Sequence, residues 1–150
     1  MKPQIGKSLN FKRAKLPGKK KLAGKYSFLE PINIQKHAEE LFQTLSQDQS
    51  NRIWTYMSEG PFNKLSDFRK YLQKKDIFFY AIYSKKTRTF CGLASYLRVK
   101  RDVGVIEVGY ITYAPCLQQT VAATESMFLM MQNVFENLGY RRCGAKETPL

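Results

Sequence analysis

The sequence predicts an α+β domain, a mixed and mainly antiparallel sheet flanked by helices. Three observations carry that expectation. Two helical patterns in the first half precede three β-rich segments, "DIFFYAIYS", "TFCGLASYLRVK" and "VGVIEVGYITY". Short turns at "KKTR" and at Arg101-Asp102 join those segments into an antiparallel meander. A long helical pattern then leads into "YRRCGAK", and such a strand–helix–strand unit places the final strand parallel to the third meander strand.

Taken in order, "KYSFLEPI" (Lys25–Ile32) alternates between Gly24 and Pro31 and reads as a short strand. Asn33 can cap a helix over Ile34–Gln47, with Ile34, Ala38, Leu41, Phe42 and Leu45 on one stripe. A turn follows at Gly60-Pro61. A second short helix starts near Ser66 and Asp67, with Leu65, Phe68 and Leu72 on its apolar side. After the meander, Leu117 to Leu138 is the longest helix. Leu117, Val121, Met127, Phe128, Met131, Val134, Phe135 and Leu138 recur at helical spacing, and Gly139 stops it.

A chain of 150 residues is one domain, long enough to bury roughly 70% of its unfolded surface. A hydrophobic content of 43% argues against disorder. No apolar run reaches transmembrane length, and the basic N-terminus lacks a secretory apolar core. The three cysteines, Cys91, Cys116 and Cys143, are widely spaced and fit free thiols in a reducing cytoplasm, with no zinc site.

The net charge of +13 is unevenly placed. Residues 1–25 hold nine Lys or Arg and no acid. Gly6, Pro17, Gly18 and Gly24 break any continuous helix there. Residues 1–21 therefore read as a basic, solvated, flexible arm before a domain at 22–150. The other reading is an arm that rests on RNA, acidic lipid or an acidic partner.

The chemistry concentrates in "IEVGYITYAPCLQQTVAATES" (106–126), where a strand gives way to a helix through small and polar residues. A helix start carries four N–H groups without intrahelical partners and the positive end of the dipole. Small residues let a pyrophosphate approach, and Gln118, Gln119 and Thr120 add neutral donors. The plain alternative is an ordinary polar helix start.

That stretch resembles the strand-to-helix core of the GNAT acyltransferases, nearest the branch similar to ribosomal-protein N-terminal acetyltransferases of the RimL type. "GKYSFLEPINIQKHAEELF", "IWTYMSEGPF" with "DFRKYL", "FYAIYSKKTRTFCGLASYLRV" and "FENLGYRRC" resemble that branch's other segments in order, over about residues 22–143. The resemblance implies acetyl-CoA as co-substrate, no metal, and transfer of acetyl to a primary amine of a protein N-terminus or small molecule. It places the phosphate-cradling pattern on Gln118, Gln119, Thr120, Val121, Ala122 and Ala123. Val121 stands where a glycine is usual; a β-branched residue resists positive φ and crowds a phosphate. The pantetheine arm is expected along Tyr110, Ile111 and Thr112. Glu107 matches a glutamate that serves as base or water-holder, and Tyr110 is a candidate donor to the leaving thiolate. Glu107 can equally face solvent or pair with a lysine.

Other conspicuous residues read as structural. His37, the only histidine, is expected on a helix surface. Trp54 and Tyr56 are expected in the core, with the mouth of the acceptor groove as the alternative; Tyr110 and Tyr113 fit the core or a place near the thioester; Cys116 is expected as incidental, and Glu125 as a charge favouring the helix dipole. After Cys143 the sequence departs from the related pattern, so the fold is expected to lack its C-terminal part. A shortened chain would be weak or inactive as an enzyme and exposed to homodimerisation through its last strand. Two readings compete with an active GNAT enzyme: a noncatalytic remnant, and a basic module that contacts RNA or the ribosome.

Overall fold

The structure, a computed structural model, describes residues 12–47, 62 and 64–145. Six strands form one sheet in sequence order: β1 (Leu22–Ala23), β2 (Ser27–Pro31), β3 (Phe78–Ser84), β4 (Thr89–Lys100), β5 (Val105–Tyr113) and β6 (Arg142–Ala145). All neighbours are antiparallel except β5 and β6, which are parallel with Val105 opposite Arg142 and Val108 opposite Ala145. The expected meander and parallel return strand are both present.

Helix α1 (Ile34–Leu45) begins where Asn33 caps the N–H of Lys36 at 3.1 Å. It buries Ala38, Leu41 and Leu45 completely. His37 is not on the surface. It is 1% exposed, accepts from the Asn33 N–H at Nδ1 (2.9 Å), and places Nε2 2.8 Å from Glu30. Its ring meets Phe90 edge-on, so it is a satisfied core histidine that ties the helix start to β2 and β4. Helix α2 (Leu65–Leu72) buries Phe68, Tyr71 and Leu72. The turn at Gly60-Pro61 and residues Trp54 and Tyr56 lie outside the described residues.

Helix α3 (Val121–Gln132) starts four residues later than the sequence pattern suggests, because Ala114–Thr120 form a separate turn. Its phase also differs from the expected stripe. Ala122, Ala123, Ser126, Leu129 and Met130 face inward, whereas Val121, Phe128 and Phe135 are exposed. Small residues form the buried face because α3 lies close against the β1–β2 edge, and size, not apolarity, selects them. A π-turn over Asn133–Asn137 ends the helix, with the Leu138 N–H reaching back to Asn133 O at 2.9 Å. Tyr96 Oη donates to Met130 O at 2.7 Å, fixing this end of α3 on the sheet.

The expected free arm is corrected where it is described. Ala14 and Pro17 are buried, and the backbone is bonded to the body: Ala14 N to Arg101 O (3.1 Å) and Lys15 N to Leu138 O (2.9 Å). Tyr140 Oη donates to Lys15 O at 2.8 Å, and Arg101 Nε donates to Ala14 O at the same distance. The apolar residues between the lysines supply the anchors that a charge count misses. Among the described residues no helix is long and apolar enough to cross a membrane.

Candidate active site

Strand β5 carries Glu107, Tyr110, Ile111 and Thr112 of the expected site. Tyr96 points toward α3, and Val108 lies opposite it, so Glu107 projects from the other sheet face. Its Oε1 accepts from Arg98 Nη1 at 2.8 Å, and the side chain is 28% exposed. The partner is thus an arginine on β4, where a lysine was the alternative to a catalytic role. Oε2 has no partner among the described residues.

Two residues past Val108 the ladder breaks. Ser95 pairs with Gly109 and Leu93 with Thr112, so Ala94 faces both Tyr110 and Ile111. This is a β-bulge, which leaves the extra residue outside the regular ladder and bends the strand. Tyr110 takes φ +50°, a conformation that a bulky residue holds only when its surroundings impose it. The bulge keeps its ring on the α2 side, with centroids 6.1 Å from both Tyr71 and Phe79. Glu107 and Tyr110 consequently share one sheet face. Strand β6 pairs with β5 only over Val105–Val108, so the bulged half of β5 runs beyond that ladder. An isolated glycine in a strand pattern is a bulge signal, and Gly109 supplied it.

The turn after β5 is tightly held. Ala114 N–H donates to Cys91 O (2.8 Å), and Leu117 and Gln118 N–H both reach Ala114 O (2.9 and 3.2 Å). Gln118 Nε2 folds back onto Tyr113 O at 3.1 Å, so this side chain braces the turn. Leu117 is fully buried above Gly92, where a Cβ would lie 2.6 Å from Leu117 Cδ2. Thr120 is the N-cap of α3; its Oγ1 accepts from Ala123 N (3.2 Å) and donates to Leu117 O (2.6 Å).

The positive φ that the glycine pattern implies falls on Gln119 (+59°), not on Val121. Val121 is the first helical residue and is 61% exposed, so its β-branch costs the backbone nothing there. The N–H groups of Gln119, Thr120, Val121 and Ala122 find no acceptor among the described residues. Ala122 and Ala123 are too small to screen them. Four unengaged donors at the positive end of a helix fit the pyrophosphate of a coenzyme A. Ile111 and Thr112 bury their side chains, which leaves the backbone of β5 as the part that a pantetheine could meet.

Glu125 has a role the sequence did not disclose. Its carboxylate turns away from the helix start and accepts from the N–H groups of Lys25 (2.7 Å), Tyr26 (2.8 Å) and Ser27 (2.8 Å) and from Ser27 Oγ (2.9 Å). Burial alone would raise its pKa, but these donors outweigh that and hold it below the ordinary value. Tyr113 is buried in the core, and desolvation lifts its pKa to about 12. Cys116 is exposed on the turn and Cys91 buried beneath it, with a thiol pushed up to about 12 by burial and then by Cys116. Among the described residues no group of three or more His, Cys, Asp or Glu could hold a metal ion.

The sequence matches the family model of the acetyltransferase (GNAT) domain over residues 28–148. The chain belongs to the GNAT acetyltransferase family. A crystal structure of a GCN5-related N-acetyltransferase from Brucella melitensis superimposes with a TM-score of 0.83 at 35% identity. That match covers 90% of this chain and 63% of the Brucella chain, so the present chain spans less than two thirds of that relative. A Chromobacterium violaceum protein described as a GNAT-family acetyltransferase gives 0.79 at 28% identity, covering 95% of this chain and 71% of its own. A Vibrio cholerae protein described as a ribosomal-protein-serine acetyltransferase gives 0.68 at 16% identity, over 87% of this chain and 75% of its own, which is a likeness of fold alone. No curated protein matches the sequence.

Proposed function

We propose that this GNAT chain binds acetyl-CoA at the N-terminus of α3 and transfers the acetyl group to a primary amine. The observation that carries the reading is the pairing of a bulged β5 with four unengaged N–H groups one turn further on. Acetyl-CoA supplies an acyl group already activated as a thioester. The backbone of Gln119–Ala122 would hold its phosphates, with Thr120 fixing the helix start and Gln118 bracing the turn. The strand from Tyr110 to Thr112 would align the pantetheine, which sets the reacting atoms in line.

An amine must lose a proton to attack or as it attacks. Glu107, anchored by Arg98 through one oxygen, can take that proton on Oε2 directly or through water. The Tyr110 hydroxyl is the proposed donor to the departing sulfur. Glu107→Gln keeps the shape and removes the base; an expected loss of kcat by about 10²-fold or more follows the usual size of such roles. The test is acetylation of an amine panel by wild type and Glu107→Gln, with coenzyme affinity measured on both. Equal turnover would remove Glu107 from the mechanism; unchanged affinity alongside lost turnover supports it.

The acceptor is proposed as a primary amine, on a protein N-terminus as in a RimL-like branch or on a small molecule, with action in the cytoplasm. Solved relatives of similar fold span both kinds, including a ribosomal-protein-serine acetyltransferase and spermidine N-acetyltransferases of Vibrio cholerae.

A further inference from the structure

A cavity of about 540 Å³ lies at the opposite end of α3 from the coenzyme turn, where residues 15–20 pass over the π-turn. The seventeen residues from Val121 to Asn137 separate the two places by roughly 25 Å at 1.5 Å per residue. Lys15, Lys19, Lys20 and Arg101 line the cavity, and among the described residues no carboxylate does. Arg101 is fixed there by its bond to Ala14 O. Tyr80, on β3, closes one wall. Its side chain is fully buried, yet its hydroxyl has no hydrogen-bond partner among the described residues. The N–H groups of Gly18 and Lys20 approach the hydroxyl oxygen without making a bond of normal geometry.

A buried hydroxyl left without a partner costs about 1–3 kcal/mol. Its oxygen already faces two N–H donors, so what it lacks is an acceptor for its own proton. A ligand oxygen would supply one. The four surrounding cations, with no acid among the described lining residues, favour an anion as that ligand. Donors converge from the Tyr80 wall and the basic rim, which suits the tetrahedral oxygens of phosphate more than the planar pair of a carboxylate. The volume falls in the range of small-molecule sites. We propose that this cavity is a second ligand site, separate from the coenzyme turn, that binds a small phosphorylated molecule through the Tyr80 hydroxyl and the basic rim.

Calorimetric titration with inorganic phosphate, with malonate as the carboxylate probe, tests this on the full chain. Wild type is expected to bind phosphate saturably and more tightly than malonate. Tyr80→Phe is expected to weaken phosphate binding about tenfold while leaving the melting temperature unchanged or higher, since it removes only an unpartnered hydroxyl. A Lys19→Ala/Lys20→Ala pair is expected to weaken it as well, and Val121→Asp, at the other end of α3, to leave it unchanged. No saturable phosphate binding overturns the proposal. So does phosphate binding that survives Tyr80→Phe but is lost in Val121→Asp, which would place the anion at the coenzyme turn. Malonate bound as tightly as phosphate, or a short RNA oligonucleotide bound through Tyr80 where phosphate is not, would equally overturn it.

Discussion

Glu125 illustrates how one side chain can hold a site without touching it. It joins the second turn of α3 to the β1–β2 turn through four hydrogen bonds, and Gly24 leaves it room: a Cβ there would meet the Glu125 carboxylate. Glu125→Gln turns an amide N–H₂ toward a backbone N–H, and is expected to cost about 1–3 kcal/mol in denaturant unfolding. The pH dependence has a definite sign. The folded pKa lies below the ordinary 4.5, so the unfolded state binds more protons between the two values. The stabilisation is present above pH 4.5 and is lost as pH falls through the folded pKa. Glu30 behaves alike: burial would raise its pKa, but Lys36 and His37 lower it further. Unfolding free energy measured from pH 6 to 3 should fall less steeply in Glu125→Gln than in wild type; parallel curves would contradict the assignment.

At the scale of elements, the site depends on how β4, β5 and the turn before α3 are fitted together. Gly92 on β4 admits Leu117, and Leu117 anchors the turn whose N–H groups face outward. Gly92→Ala places a methyl 2.6 Å from Leu117 Cδ2 and 3.2 Å from Ile82 Cδ1. Overpacking of this kind costs about 1–3 kcal/mol. The displacement falls on the turn, so coenzyme affinity should drop as well as stability, by about tenfold in a titration. Lost stability with full affinity would show that the turn does not rely on Leu117. The helix itself was only half legible. Its apolar residues run nearly all round, so periodicity chose Val121, Phe128 and Phe135 for the core, whereas closeness to the β1–β2 edge selects Ala122, Ala123 and Ser126. Within the turn, Leu117–Thr120 reads as helix because its polar residues are good helix starters; the positive φ at Gln119 separates the two.

For the whole molecule, strand order and the parallel return of β6 follow from turn lengths and the strand–helix–strand rule, both visible in sequence. The meander's hairpin tips were visible for the same reason. The π-turn and the burial of His37 were not, since each depends on contacts between residues far apart in the chain; Gly109 signalled a bulge, but not that Tyr110 would carry its positive φ. Charge misled most in residues 12–21, where Ala14 and two backbone bonds decide the packing. Deleting residues 1–21 should therefore lower stability by about 2–4 kcal/mol, from the lost bonds to Arg101, Leu138 and Tyr140 and the exposure of their partners. Thermal unfolding checks this; an unchanged melting temperature would restore the free arm.

The proposed seat of the coenzyme phosphates on the N-terminal N–H groups of α3 is open to a direct check in Val121→Asp. Val121 is exposed at the first helical position, where an aspartate favours the helix dipole and leaves folding intact or slightly more stable. The same charge beside a pyrophosphate opposes binding. Calorimetric titration with acetyl-CoA should give saturable binding to wild type and at least about tenfold weaker binding to Val121→Asp, a difference of roughly 1.4 kcal/mol. Equal affinity in the two proteins, at equal melting temperature, would contradict the claim and move the coenzyme away from this helix.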